Sequence, residues 1–333
     1  GGQPGASLTP IDIVKYTAAF GQMLLAEEPE KKVVVIGRDA RTTGPMITQL
    51  VAGTLQSLGI TVLDAGLATT PTVEMAVAKE GAMGGIILTA SHNPGQWNAL
   101  KLLNAKGEFI SAEQGQQVLT LADESAFPFV EHQKIGQYEE RNHYLDDHIQ
   151  AILDLPWVDV EAIRNRGFTV AVDAVHSVGG IAVPALLKKL GVENIIELYC
   201  EPTGKFPHNP EPLPEHLSVI AAEVEKEGAD LGIVVDPDVD RLALVNEDGT
   251  MFGEEYTLVA VADYVLQQEV GNTVSNLSST RALRDITEKR GGQYFAAAVG
   301  EVNVVAAMKA HNAVIGGEGN GGVIVPRLHY GRD

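Results

Sequence analysis

Short apolar runs alternate along the chain with longer segments of helical spacing. Val33 to Ile36 is β-branched and apolar on both faces, which predicts a buried parallel strand. Before it, Ile11 to Glu27 reads as a helix, with Thr9 or Ser7 as its cap and Pro10 in its first turn. The same reading predicts helices near Pro45 to Leu58 and Pro71 to Lys79, and strands near Ile60 to Gly66 and Gly85 to Thr89. A short extended piece follows at Lys101 to Leu103, with a turn near Asn104 to Gly107. This βαβαβ order predicts a parallel sheet with helices on its faces. Residues 120 to 155 read as a helical connector.

The pattern then restarts. Phe168 to Gly180 opens a second α/β unit, with a helix at Ile181 to Leu190 and a strand at Asn194 to Tyr199. EPTGKFPHNPEPLP is too rich in proline for a helix or a central strand. A helix at Leu217 to Glu227 leads into a buried strand, an acidic loop, a second strand and a turn at Asp248-Gly249. A third unit runs from a helix at Glu254 to Gln268 through a strand at Val274 to Asn276 and helices at Thr280 to Lys289 and Val302 to Ala310. AVIGGEGNGGVIVP then forms either a hairpin or two separate short strands. The expected domains are 1–145, 146–253 and a partial third at 254–333.

Composition narrows the function. The 24 basic and 44 acidic residues give a formal charge of −20, a field that repels nucleic acid. A small phosphorylated ligand stays open, because local arginines can override the global sign. No run approaches the roughly 20 apolar residues that cross a bilayer, so no membrane partner is expected. The single cysteine, Cys200, allows no intrachain disulfide and fits a cytoplasmic setting. The opening GGQPGASLTP is no signal peptide and holds no methionine, so the chain is expected to start past its native beginning.

Four loops can carry chemistry. In DPDVDR, Asp236, Asp238 and Asp240 alternate directly after an apolar strand. Three like charges so close are costly without a cation, and hard carboxylate oxygens suit magnesium. The alternative is a solvated acidic turn. In TASHNPGQWNALK, Ser91 follows a buried strand, where open parallel sheets gather ligands. Its hydroxyl is a nucleophile if a base or cation activates it, and Lys101 is a candidate proton carrier. Alternatively, Ser91 caps a turn and His92 is a structural hydrogen-bonding residue. Arg38 and Arg41, in GRDAR, and Arg241, after the aspartates, have the fork that matches phosphate, or they serve ion pairs. GGEGNGG leaves Glu318 and Asn320 among five glycines, which suits sugar hydroxyls or a flexible turn. His208 lies in the proline-rich loop, where a lone histidine usually binds nothing.

Taken in order, TASHNP, DPDVDR and the GEGNGG loop resemble the α-D-phosphohexomutases: phosphoglucomutases, phosphomannomutases and phosphoglucosamine mutases. GRDARTTG resembles the family's arginine loop and FPHNPEP a second-domain signature. The resemblance implies an α/β fold of tandem three-layer αβα domains with mixed, mostly parallel sheets. It implies that Ser91 carries the catalytic phosphate as phosphoserine and that Asp236, Asp238 and Asp240 hold Mg²⁺ with a phosphoserine oxygen of Ser91 as a further ligand. His92, Lys101, Arg38 and Arg241 take catalytic positions, with Lys101 the preferred proton carrier. Glu318, Asn320, Arg41 and His208 fall to substrate binding. Gly322 stands where the family often has histidine, and NALK replaces the usual NGIK or NGFK.

The activity implied is transfer of phosphate between O1 and O6 of a hexose phosphate, with a hexose 1,6-bisphosphate as intermediate and activator. The partners would be hexose phosphates, with glucose, mannose and glucosamine all open, and the chain a monomer or homodimer. The family's fourth domain has no counterpart in this sequence, so weak or no activity is expected of the chain alone. The rival readings are a Mg²⁺-dependent sugar-phosphate phosphatase or phosphotransferase, and a non-catalytic sugar-phosphate binding protein.

Overall fold

A computed structural model describes all 333 residues, which fall into two compact units. The first comprises residues 1–145 with 203–205, the second the remainder.

In the first unit, α1 (Pro10–Glu27) begins on a capping box: Thr9 accepts from the Asp12 amide while the Asp12 carboxylate accepts from the Thr9 amide. Then come β1 (Val33–Arg38), α2 (Gly44–Ser57), β2 (Thr61–Leu67), α3 (Thr70–Glu80), β3 (Gly84–Leu88), β4 (Leu100–Leu103), α4 (Ala112–Glu124) and β5 (Tyr138–Glu140). The sheet order is β4-β3-β1-β2-β5. All pairs are parallel except β3 with β4, where Ile87 faces Lys101 and Leu88 faces Leu100. The central strands β1 and β3 are buried on both faces, as their apolar runs require. One cluster around Phe20, Met23, Ile36 and Ile86 packs one face, and another around Val35, Val73, Val77 and Ile87 packs the other.

The expected helical connector is broken. Between α4 and α5 (Tyr144–Leu153) lie a short 3₁₀ turn and β5. β5 escapes the pattern because it is a three-residue edge strand with Tyr138 and Glu140 exposed, so it needs no apolar run.

The second unit holds two sheets. Its first set is α6 (Val160–Arg166), β6 (Thr169–Asp173), α7 (Gly179–Lys189), β7 (Asn194–Leu198), α8 (Ser218–Glu227), β8 (Leu231–Val235) and β9 (Leu242–Asn246), in order β7-β6-β8-β9 with only β8–β9 antiparallel. The second set is α9 (Glu254–Gln268), β10 (Asn272–Asn276), α10 (Ala282–Lys289), β11 (Tyr294–Ala297), α11 (Glu301–Ala310), β12 (Ala313–Gly317) and β13 (Val323–Ile324), in order β11-β10-β12-β13. β11 was not expected; it is a four-residue edge strand whose first three positions are partly or fully exposed. The glycine-rich segment resolves as an antiparallel pair, Gly316 opposite Ile324 and Gly317 opposite Val323. Mixed, mostly parallel sheets with packed helices are the expected α/β architecture.

Candidate active site

In the first unit, the β3–β4 hairpin carries the serine loop. The Thr89 amide donates to the Ala99 carbonyl and closes it. Ser91 sits just beyond β3 with φ 48° and is 7% exposed. A left-handed serine is held only where its surroundings over-determine the backbone, and such residues collect at functional sites. Here the surroundings are a buried arginine. Arg41 Nη2 donates to the carbonyls of Ser91 (2.5 Å) and Asn93 (2.6 Å), and Nη1 to those of Pro94 (2.6 Å) and Trp97 (3.0 Å). Its Nε donates to Asp39 Oδ2 at 2.9 Å, and that same oxygen accepts from the Thr89 hydroxyl at 2.7 Å. Thr89 Oγ1 in turn accepts from the Ser91 amide at 2.9 Å. Asp39, Arg41 and Thr89 are all 0% exposed.

Arg41, expected at the substrate, meets no solvent, and its donors go to the loop backbone and Asp39, so it shapes the serine loop. Arg38, at the end of β1, donates from Nη1 to the Asp39 carbonyl at 3.2 Å. Burial lowers its pKa, while the charges of Asp64 and Asp39 act the other way. Lys101 stands on β4 with its Nζ 5.5 Å from the centre of the Phe109 ring. The hairpin thus places Ser91, His92 and Lys101 on one continuous support.

In the second unit, the acidic loop joins β8 to β9. Asp236 Oδ1 accepts from the amides of Asp240 (3.1 Å) and Arg241 (3.2 Å), folding the loop back on its own start. Val239 takes φ 60°, an outlier for a β-branched residue. Ser177 donates to the Pro237 carbonyl at 2.6 Å. α7 starts with Gly179, where a Cβ would lie 2.4 Å from the Val235 side chain, so only glycine lets the helix approach this closely. Asp236, Asp238 and Asp240 are at most 1% exposed, and one carboxylate oxygen from each lies within 4.8 Å of the others. Burial removes the solvated-turn alternative. Three hard oxygen donors packed so tightly, away from water, fit a magnesium ion.

The glycine-rich loop is seated beside this one. The Leu242 amide donates to the Gly321 carbonyl at 3.1 Å. Glu318 is 3% exposed; its Oε1 accepts from Asn276 Nδ2 (2.8 Å) and the Gly300 amide (3.1 Å), and its Oε2 from Arg332 Nη1 (2.8 Å). Asn320 Oδ1 accepts from the Gly322 amide at 3.2 Å. Glu318, Asn320 and Arg241 line one cleft of about 280 Å³, together with Glu211 and Asn276. Arg241 reaches Glu211 at 3.4 Å.

His208 lies in the proline-rich loop. Its Nδ1 meets the Asn209 carbonyl (2.8 Å) and its Nε2 meets Asp173 Oδ2 (3.0 Å). Burial lowers the His208 pKa, yet the bond to Asp173 and its charge outweigh that and raise it. Through these two contacts the residue braces the proline-rich loop. Asp39, Thr89, Asn276 and Arg332 escaped sequence reasoning; only Asp39, between two arginines, left a signal.

The profiles for phosphoglucomutase/phosphomannomutase α/β/α domains I, II and III match residues 2–128, 144–249 and 253–333. The chain is 36% identical to a phosphoglucomutase/phosphomannomutase of Thermococcus kodakarensis, over 98% of this chain and 71% of that protein. It is 31% identical to the probable phosphoglucosamine mutase of Methanopyrus kandleri, over 98% of this chain and 70% of that one. A crystal structure of a phosphoglucomutase/phosphomannomutase family protein from Burkholderia thailandensis superposes with a TM-score of 0.87 at 28% identity, over 99% of this chain and 71% of that one. With three domain profiles matched in order and a relative this similar along nearly the whole chain, the protein belongs to the phosphoglucomutase/phosphomannomutase family and is an isomerase of the phosphotransferase-mutase kind.

Proposed function

We propose that the protein interconverts hexose 1- and 6-phosphates through a phosphate carried on Ser91 and a hexose 1,6-bisphosphate intermediate. The observation that carries this reading is the buried trio Asp236, Asp238 and Asp240 in a chain whose serine loop is equally preorganised. A bound Mg²⁺, held by the three aspartates and an oxygen of phosphorylated Ser91, would neutralise charge developing on the transferring group.

In the first half-reaction, the free sugar hydroxyl attacks phosphorus, its P–O bond forms, and the bond from phosphorus to Ser91 Oγ breaks. The hydroxyl proton passes to Lys101 in its neutral amine form, and Ser91 Oγ leaves as the anion. In the second, Ser91 Oγ attacks the other phosphorus of the reoriented bisphosphate, the bond from that phosphorus to the sugar oxygen breaks, and the sugar oxygen takes the proton back from Lys101. The Arg41 network fixes the loop backbone on which Oγ moves, so little reorganisation is needed during transfer. Glu318 and Asn320 orient sugar hydroxyls in their cleft, and Arg241 and Arg38 meet phosphate. His92 orients the reacting hydroxyl. A cytoplasmic setting belongs to the same reading, supported by the single cysteine.

The test is incubation with a hexose 1-phosphate, Mg²⁺ and a trace of the 1,6-bisphosphate. Formation of the 6-phosphate without inorganic phosphate is expected. Steady phosphate release without isomerisation would replace this reading with a phosphatase.

A further inference from the structure

We infer that Arg332 is a positioning residue that ties the metal-ligand loop to the glycine-rich loop, so that events at Glu318 change how tightly the three aspartates hold a divalent cation. The inference rests on the metal reading of Asp236, Asp238 and Asp240.

Arg332 Nη2 donates to Asp240 Oδ2 at 2.6 Å and Nη1 to Glu318 Oε2 at 2.8 Å. Its Nε lies 2.9 Å from Glu301 Oε2, an ion pair at the head of α11. Arg332 and Glu301 are 8% exposed, Glu318 3% and Asp240 1%, so water has little access to replace these contacts. A guanidinium is a rigid plane, and its donors cannot move independently. If the carboxylate of Glu318 shifts or loses charge, the plane tilts and Asp240 Oδ2 is gripped differently. The far sides are fixed: Asn276 and the Gly300 amide hold Glu318 Oε1, while the amides of residues 240 and 241 hold Asp236. Arg332 is thus the adjustable link between two anchored loops, and a coupling carried this way acts equally in both directions.

The test is a Mn²⁺ titration of the full chain by calorimetry, on wild type, Glu318→Gln, Arg332→Met and the double variant. In the wild-type background, Glu318→Gln leaves more of the guanidinium charge on Asp240 and is expected to weaken Mn²⁺ binding about fivefold. In the Arg332→Met background the same change is expected to matter less than about twofold. General loosening would alter the affinity of each variant without making the Glu318 effect depend on Arg332. An equal effect of Glu318→Gln in both backgrounds overturns the inference.

Arg332→Lys repeats the cycle with the charge kept, in case the methionine variant does not fold. A point charge on a flexible stem cannot bridge both carboxylates, so the coupling should again collapse, and a lysine cycle equal to wild type overturns the inference. Asp238→Asn, expected to abolish Mn²⁺ uptake, locates the ion. Wild-type protein that takes up no Mn²⁺ overturns the metal reading and this inference together.

Discussion

The serine loop and the acidic loop solve the same local problem with opposite electrostatics. Each turns sharply past a buried strand, each holds a non-glycine residue at positive φ (Ser91 at 48°, Val239 at 60°), and each leans on a buried arginine. Arg41 spends its charge on one aspartate and four backbone carbonyls, so the serine loop is closed and nearly neutral. Around the acidic loop, the carboxylates of Asp236, Asp238, Asp240, Glu318 and Glu301 crowd together, with Arg332 and Arg241 among them. Asp240, Glu301 and Glu318 outweigh the burial of Arg332 and hold its pKa well above the ordinary value. The first loop is built to keep a hydroxyl in place, and the second to receive a cation.

The contrast breaks most sharply at Arg41. Arg41→Met takes away the buried ion-pair partner of Asp39 and should cost about 3–5 kcal/mol, measured by urea unfolding. Added Mg²⁺ should not restore it, since the serine loop's deficit is not in the acidic loop. By linkage, Mg²⁺ at about 100 times its Kd should stabilise wild type by roughly 2.7 kcal/mol, and Asp238→Asn should abolish this gain in the same assay.

A smaller effect concerns His208. Its folded pKa is raised, so its contribution is fully present below the unfolded value of about 6.5 and fades as pH rises through the folded value. His208→Gln should lose roughly 2 kcal/mol in mildly acidic solution, and the gap to wild type should narrow as pH increases in a series of urea titrations. Smallest is Ser91→Gly. Relief of the left-handed backbone should stabilise the chain by about 1 kcal/mol, while Ser91→Ala should not; equal stability of the two would deny that strain is held at this position.

Where burial acts through backbone period, the sequence was readable. Strands such as β1 and β3, apolar on both faces, stood out, and so did α1 with its Thr9 cap. The edge strands β5 and β11 were invisible because an edge needs few apolar side chains. The positions of Ser91 and the aspartate trio were legible because each follows directly after an apolar strand. The contacts of Arg41, His208 and Arg332 were not, since they are made with partners that only the fold assembles. Arg41 looked like a ligand arginine from its place in GRDAR, yet the carbonyls that occupy it come from residues 91 to 97.

The most direct test of the account is intact-mass measurement after exposure of the protein to a hexose 1,6-bisphosphate with Mg²⁺. The account predicts a gain of one phosphoryl group, about 80 Da, localised to Ser91 by peptide fragmentation and absent from Ser91→Ala. No adduct under any loading condition, or one that persists in Ser91→Ala, would contradict it.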